Sequence, residues 1–264
     1  MTPTFDAIIL AAQREGRLDP LAAEAGVSHK CLVPIGGRPL LAHVLEAIAG
    51  VEGLARIRIS VEPGAEEALR QVVPPVPSPQ SPVPIEFVSS HPTITDSVYA
   101  AAAGLAGPFI VTTADNVLLT AGAVRRVADR LHAGDDAVAA LSRKEDVLSA
   151  HPQGQRRFYR FTDGAYSNCN LYGMSRAGLR LAETYRSGGQ FAKNPARIVQ
   201  AVGLLNLIRL RYGLISLARA MHKLGRRFGV KASAVVLEDG AHAIDVDNRR
   251  TYTIADLLLE KRAA

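Results

Sequence analysis

The residues with the clearest chemical capacity fall in three places. One is the stretch Leu10, Ala11, Ala12, Gln13, Arg14, Glu15, Gly16 and Arg17, with Lys30 standing alone after it. Guanidinium and ammonium groups bind phosphate oxygens, so these are side chains suited to a polyanion. The other two are Asp115, at the end of "PFIVTTAD", and the pair Asp245 and Asp247 in "AIDVDN". Carboxylates are the hard oxygen ligands that Mg²⁺ takes. Each group also has a plainer reading. The first stretch could be a surface connection. Asp115 could cap the next helix, and Asp245 and Asp247 the last one.

Hydrophobic patterning shows the elements that must position them. "FDAIILAA" reads as a buried parallel strand, and "PLLAHVLEAIAG" as a helix with Leu41, Val44, Leu45 and Ile48 on one face. "ARIRISVE", "IEFVSS", "PFIVTTAD" and "DAVAALS" read as further strands. Between them, "GAEEALRQVV", "DSVYAAAAGLAG" and "TAGAVRRVADRLHAG" read as helices, with Asp96 and Ser97 as N-cap candidates for the middle one. This alternation predicts an α/β fold with a mostly parallel sheet and helices on both faces. It also puts the first loop and Asp115 at the carboxyl edge, where such sheets bind ligands.

The proline-rich stretch "PPVPSPQSPVP" reads as an exposed excursion within the domain. After it, "RRFYRFTDGAYSNCNLYGMS" predicts two strands joined at Asp163-Gly164. "AIDVDN" predicts a strand that projects Asp245 and Asp247 to one side, and "RTYTIADLLLEKR" a closing helix. Residues 190–230 read as a basic helical insertion within one domain spanning 1–264, with Asn194 and Pro195 opening its helical stretch.

Composition narrows the partners. Of the 264 residues 48% are hydrophobic, enough for one large core, and the formal charge of +6 attracts polyanions. Aromatics at 5% and the lack of tryptophan argue against nucleic acid and for a nucleotide or an anionic membrane. No basic leader opens the chain, and no apolar run reaches the roughly 18 residues that span a bilayer. With Cys31 and Cys169 expected as free thiols, a cytoplasmic location is the expectation, peripheral to the membrane if the basic helices reach it.

"IILAAQREGRL" and "HKCLVPIGGRPLLAHVLEAI" resemble the signature of the nucleotidyltransferases related to molybdenum-cofactor guanylyltransferase and the sugar-phosphate pyrophosphorylases. Lys30, Leu32, Pro34, Gly36, Gly37, Pro39 and Leu40 all match its second block, and "AIDVDN" resembles its late aspartate segment. The first block departs from the pattern, with Gln13 where glycine is usual.

The resemblance implies a glycosyltransferase-A-like fold and Mg²⁺-dependent transfer of a nucleoside monophosphate from an NTP to a phosphorylated acceptor. It further implies that Leu10 to Arg14 and Gly16 border the triphosphate, with Arg17 and Lys30 on its phosphates. Asp115 and Asp247 would hold the metal, with Asp245 beside or among the ligands. Asp96 and Ser97 would border the nucleotide, and Asn170 would face the acceptor. The Ser-Val helix start leans towards CTP. Two competing readings are a glycosyltransferase of the same fold using a nucleotide sugar and a non-catalytic nucleotide-sensing or membrane-scaffold protein. Gln13 and the basic segment from Asn194 to Phe228 motivate the latter, the segment through contact with anionic membrane or a membrane enzyme.

Overall fold

A computed structural model describes residues 4–13, 18–71, 83–186 and 214–263. The loop residues Arg14, Gly16 and Arg17, most of the proline-rich stretch and the first part of the basic segment lie outside the described residues.

An eight-stranded mixed sheet forms the centre. Its strands are β1 (Phe5–Leu10), β4 (Leu54–Val61), β5 (Ile85–Ser89), β6 (Phe109–Thr113), β7 (Ala137–Arg143), β8 (Tyr159–Phe161), β9 (Gly164–Met174) and β10 (Ala232–Leu237). The spatial order is β10-β7-β9-β6-β1-β4-β5, with β8 paired to β9. Neighbours run parallel except at β9, which is antiparallel to both β6 and β7 and to β8. The expected alternation therefore holds in sequence, but β7 does not pair with β6. The hairpin β8–β9 returns and fills the gap between them.

Two cores flank the sheet. On one face α2 (Leu40–Ala49), α5 (Ala121–His132) and a C-terminal helix (Arg249–Ala263) bury Leu41, Val44, Leu45, Ile48, Val124, Val127, Ile254 and Leu258. The short α3 (Glu66–Arg70), after β4, adds Leu69 to the same core. On the other face, α4 (Ile94–Ala102) packs Val98 and Ala101 against Ile8, Phe109 and Val111. Both sides of β1 are thus apolar, as its run of Ala7, Ile8 and Ile9 requires.

Three local expectations change. β6 stops at Thr113, and Asp115 sits in the turn beyond it. Residues 244–248 are not a strand: a 3₁₀ turn (Gly240–Ala243) precedes them, and no sheet partner continues through them. The N-cap of α4 is Thr93, not Asp96 or Ser97.

The block "PIGGRP" has a physical cause. β2 (Pro34–Ile35) and β3 (Arg38–Pro39) form a minimal hairpin, and both turn residues have positive φ, 54° at Gly36 and 74° at Gly37. Two successive left-handed residues are what a tight hairpin turn needs and what glycine supplies. The hairpin feeds α2 and comes after the 3₁₀ turn Lys30–Leu32, so it fixes where Lys30 stands.

Candidate active site

The site lies beyond the carboxyl ends of β1 and β6. The ladder continues one step past β6, where Ala114 donates its N–H to the Leu10 carbonyl at 3.0 Å. The chain then turns, with Asn116 N–H on the Thr113 carbonyl, and this turn carries Asp115. Val246 donates its N–H to the Asp115 carbonyl at 3.1 Å and so fastens the late segment to the turn. The result is a cluster in which one carboxylate oxygen each from Asp115, Asp245 and Asp247 lies within 4.8 Å of the others.

Helix capping does not account for these aspartates. The cap of α5 is Thr120, whose hydroxyl accepts the Ala123 N–H. At the last helix, Asn248 accepts the Thr251 N–H at 3.3 Å. Each helix start has its own polar residue, which leaves the three carboxylates to one another.

Lys30 is their counter-charge. Its Nζ lies 2.5 Å from Asp115 Oδ2 and 3.4 Å from Asp247 Oδ1. Burial works against the ammonium, but Asp115, Asp247 and Asp245 outweigh it and hold the Lys30 pKa above the ordinary lysine value. One lysine does not balance three carboxylates. Burial, then the charges of Asp247 and Asp115, push the Asp245 carboxyl well above the usual carboxylate range. Asp115 Oδ1 is buried with no hydrogen-bond partner. An orphaned anionic oxygen beside two more carboxylates is a donor set that fits a hard divalent cation.

Asn170 donates from Nδ2 to Asp245 Oδ2 at 2.9 Å, so the structure brings it to this cluster. Its backbone is left-handed, φ 47°, a conformation asparagine tolerates better than most residues. Against β7, the pairings Ala139–Tyr172 and Leu141–Asn168 leave extra residues on β9, a bulge that contains Asn170. Bulges re-aim side chains in this way.

Gln13 fastens the first loop. Its Nε2 donates to the Ser28 carbonyl at 2.9 Å and its Oε1 accepts the Asp19 N–H at 3.1 Å. It therefore ties the end of β1 both to the N-cap of α1 (Pro20–Ala25) and to the residue two before Lys30. The backbone N–H of Gln13 donates to Glu62, whose carboxylate lies 3.8 Å from His29 Nε2. Sequence reasoning did not single out Glu62.

Asp96 and Ser97 stand at the start of α4, after β5. The Thr93 hydroxyl donates to Asp96 at 2.7 Å and accepts the Asp96 N–H, a reciprocal capping pair, and Arg186 adds an ion pair at 2.8 Å. The Thr93 hydrogen bond first, then Arg186, lowers the Asp96 pKa against a burial effect that opposes it. Ser97 accepts the His91 N–H. Among the described residues, neither shares a hydrogen bond or ion pair with Lys30 or the three aspartates.

The basic helix (Leu217–Phe228) turns Leu217, Met221, Leu224 and Phe228 against apolar residues around β9 and β10. Its apolar stripe is therefore covered by the sheet, leaving Arg219, Arg226 and Arg227 exposed. Among the described residues no helix is long and apolar enough to cross a membrane.

Similar proteins share this fold. The chain is 28% identical over 96% of its length to a bifunctional GlmU protein of Kineococcus radiotolerans, of which it covers 48%. It thus spans about half the length of that relative. Among solved structures, a hypothetical transferase from Thermus thermophilus matches with TM-score 0.73 at 28% identity, covering 96% of this chain and all of that one. A 4-diphosphocytidyl-2C-methyl-D-erythritol synthase from Anaerococcus prevotii shares the fold, with TM-score 0.59 at 12% identity over 98% of this chain and 96% of its own. A CMP:2-keto-3-deoxy-manno-octonic acid synthetase solved with CTP does so with TM-score 0.58 at 14% identity, over 97% and 99%. The family model of the MobA-like NTP transferase domain matches residues 7–201, most of the chain and all of the first loop, and the chain belongs to that family of nucleotidyltransferases.

Proposed function

We propose that this domain transfers a nucleoside monophosphate from an NTP, with CTP as first choice, to a phosphorylated small-molecule acceptor. An acceptor phosphate oxygen attacks the α-phosphorus. The new P–O bond forms as the bond to the β-phosphate's bridging oxygen breaks, and pyrophosphate leaves with that electron pair. No proton has to be removed from the attacking phosphate, so the reaction asks for positioning and charge neutralisation more than for a general base.

The convergence of Lys30 with Asp115, Asp245 and Asp247 at the carboxyl edge of an NTP transferase domain carries this reading. Lys30 binds phosphate oxygens, and Arg14, Gly16 and Arg17 are proposed to border the triphosphate with Leu10 to Gln13. Asp115 and Asp247 hold Mg²⁺ with Asp245 beside them, and the bound ion supplies charge neutralisation to the phosphates. Asn170 faces the acceptor, and Asp96 and Ser97 border the nucleotide. The CTP choice is supported by the two cytidylyl-named proteins that share the fold. Both described cysteines are free thiols, which suits the cytoplasm, where the NTPs are.

The test is pyrophosphate release from each of the four NTPs with Mg²⁺ and a panel of sugar and polyol phosphates. We expect release that needs both CTP and an acceptor and stops with a chelator. Release of no pyrophosphate from any pair would leave a nucleotide-sensing domain.

A further inference from the structure

We propose that Asn168, two residues before Asn170 on β9, is a positioning residue that fixes which end of the Asn170 amide meets Asp245. The inference rests on the cation-binding reading of the carboxylate cluster. Its ground is a directional chain of hydrogen bonds. Asn168 Nδ2 donates to Asn170 Oδ1 at 2.8 Å, and Asn170 Nδ2 donates to Asp245 Oδ2 at 2.9 Å. An asparagine side chain has one accepting and one donating end. With its oxygen held by Asn168, Asn170 must offer its NH₂ to the carboxylate.

The orientation matters because the opposite one is repulsive towards an ionised Asp245, the form that binds a cation. If the Asn170 amide turned round, its carbonyl oxygen would face a carboxylate oxygen already crowded by Asp115 and Asp247. Asn168 is itself held. Its Nδ2 also lies 2.5 Å from the Tyr172 hydroxyl, and Tyr172 packs into the core under α4. In a regular strand, residues 168, 170 and 172 would stand in a row on one face. The bulge and the left-handed turn at Asn170 bring neighbouring amides within reach of each other and of Asp245. Asn168 reaches the aspartates through this chain of hydrogen bonds, so its effect passes through Asn170.

Mn²⁺ titration of the nucleotide-free protein, with free ion read by electron paramagnetic resonance, tests this without turnover. Asn168→Leu keeps the size and removes the donor, and we expect Mn²⁺ binding to weaken about fivefold, the scale of one lost hydrogen bond. In an Asn170→Ala background the same substitution should change binding little, because nothing is left to orient. Asn168→Ala replaces it if the leucine variant does not fold. Equal losses in both backgrounds, or no loss in the first, overturn the proposal. If wild-type protein binds Mn²⁺ no better than Asp115→Asn does, the cation reading itself fails and takes the proposal with it.

Discussion

At the amino end of β7 the Asp135 side chain is fully enclosed, with Arg130 at 2.5 Å, Lys231 at 3.0 Å and the Ser233 hydroxyl at 2.6 Å. Beside it Asp136 accepts from Ser175 and from the Lys231 backbone. At the opposite end of the sheet, Asp115, Asp245 and Asp247 share a single lysine. Burial alone would raise both sets of pKa values. Around Asp135 the hydroxyl and the two cations overcome burial and lower it, whereas at Asp245 like charges add to burial and raise it. One end joins β7 to β10, and its buried carboxylate is paired with two cations and a hydroxyl. The other holds an excess of negative charge that folding alone leaves unbalanced, as expected of a site completed by a ligand.

The strongest test of this contrast exchanges an aspartate for asparagine at each end. Asp115→Asn should keep its thermal midpoint yet lose Mg²⁺-dependent turnover by about 10²-fold or more, since a neutral amide replaces a charged ligand. Lys30→Ala should lose turnover on a similar scale, about 10²-fold, through the missing phosphate contact. The two variants should part on cation affinity. Lys30 lies among the carboxylates and would compete with a divalent ion there, so its removal should tighten Mn²⁺ binding in nucleotide-free protein while Asp115→Asn weakens it. Parallel loss of affinity in both would mean that Lys30 supports the cation site.

Asp135→Asn should show the reverse pattern. It leaves Arg130 and Lys231 without their shared partner, but both are half-exposed and regain water. The expected cost is about 2 kcal/mol, a fall of roughly 4–8 °C in thermal midpoint. Turnover per folded molecule should not change. A large loss of turnover at a temperature where the variant is fully folded would show that the two ends are coupled.

The pH dependence sharpens the comparison at smaller amplitude. Asp245 has a folded-state pKa above its unfolded value near 3.8, so between the two the folded state holds a proton that the unfolded chain has released. The corresponding stability is present below that window and is lost as pH rises through the folded pKa. Without divalent cation, the midpoint of the wild type should therefore fall across this range relative to Asp245→Asn, measured by scanning calorimetry. Saturating Mg²⁺ should narrow the difference, because the ion stabilises the charged cluster by mass action. An unchanged difference with and without Mg²⁺ would place the ion elsewhere.

Much of the site was legible because strand ends are legible. The runs Ile8-Ile9 and Ile110-Val111 mark buried strands, and residues just past such strands in an α/β sheet lie at the binding edge. Lys30, Asp115, Asp245 and Asp247 stand out on that logic and on the likeness of their motifs. The long-range pairings were not legible. Nothing local in "YSNCNLYGM" says that it will insert antiparallel between β6 and β7, because that depends on partners roughly 60 and 30 residues away in the register itself. "AIDVDN" alternates like a strand, yet finds no neighbour to pair with and becomes a bend held by Asp115 and Thr251. Asn168 escapes notice because a polar residue at alternate strand positions usually marks a solvent face. Its signal was the second asparagine two places on.

The smallest expected effect concerns the basic helix, Leu217–Phe228, which carries Arg219, Lys223, Arg226 and Arg227. Sequence patterning suggests that its apolar stripe could enter an anionic membrane. The structure seats Leu217, Met221, Leu224 and Phe228 against the sheet, so that stripe is not available for insertion. There remains electrostatic attraction by Arg219, Lys223, Arg226 and Arg227, worth about 1 kcal/mol per cation at the surface and fading within a Debye length of about 10 Å at 0.1 M salt. Wild-type protein should therefore sediment with phosphatidylserine-containing vesicles at low salt and stay in the supernatant at physiological salt, with no dependence on acyl-chain packing. Reversing all four charges should abolish the low-salt binding. It should leave pyrophosphate release nearly unchanged, because these residues lie on a helix docked around β9 and β10, whereas Asp115 follows β6. Binding that survives physiological salt would require an apolar contribution that the docked stripe does not supply. No sedimentation even at low salt would reduce the helix to a cover for the sheet, a structural role like that of the Asp135 cluster.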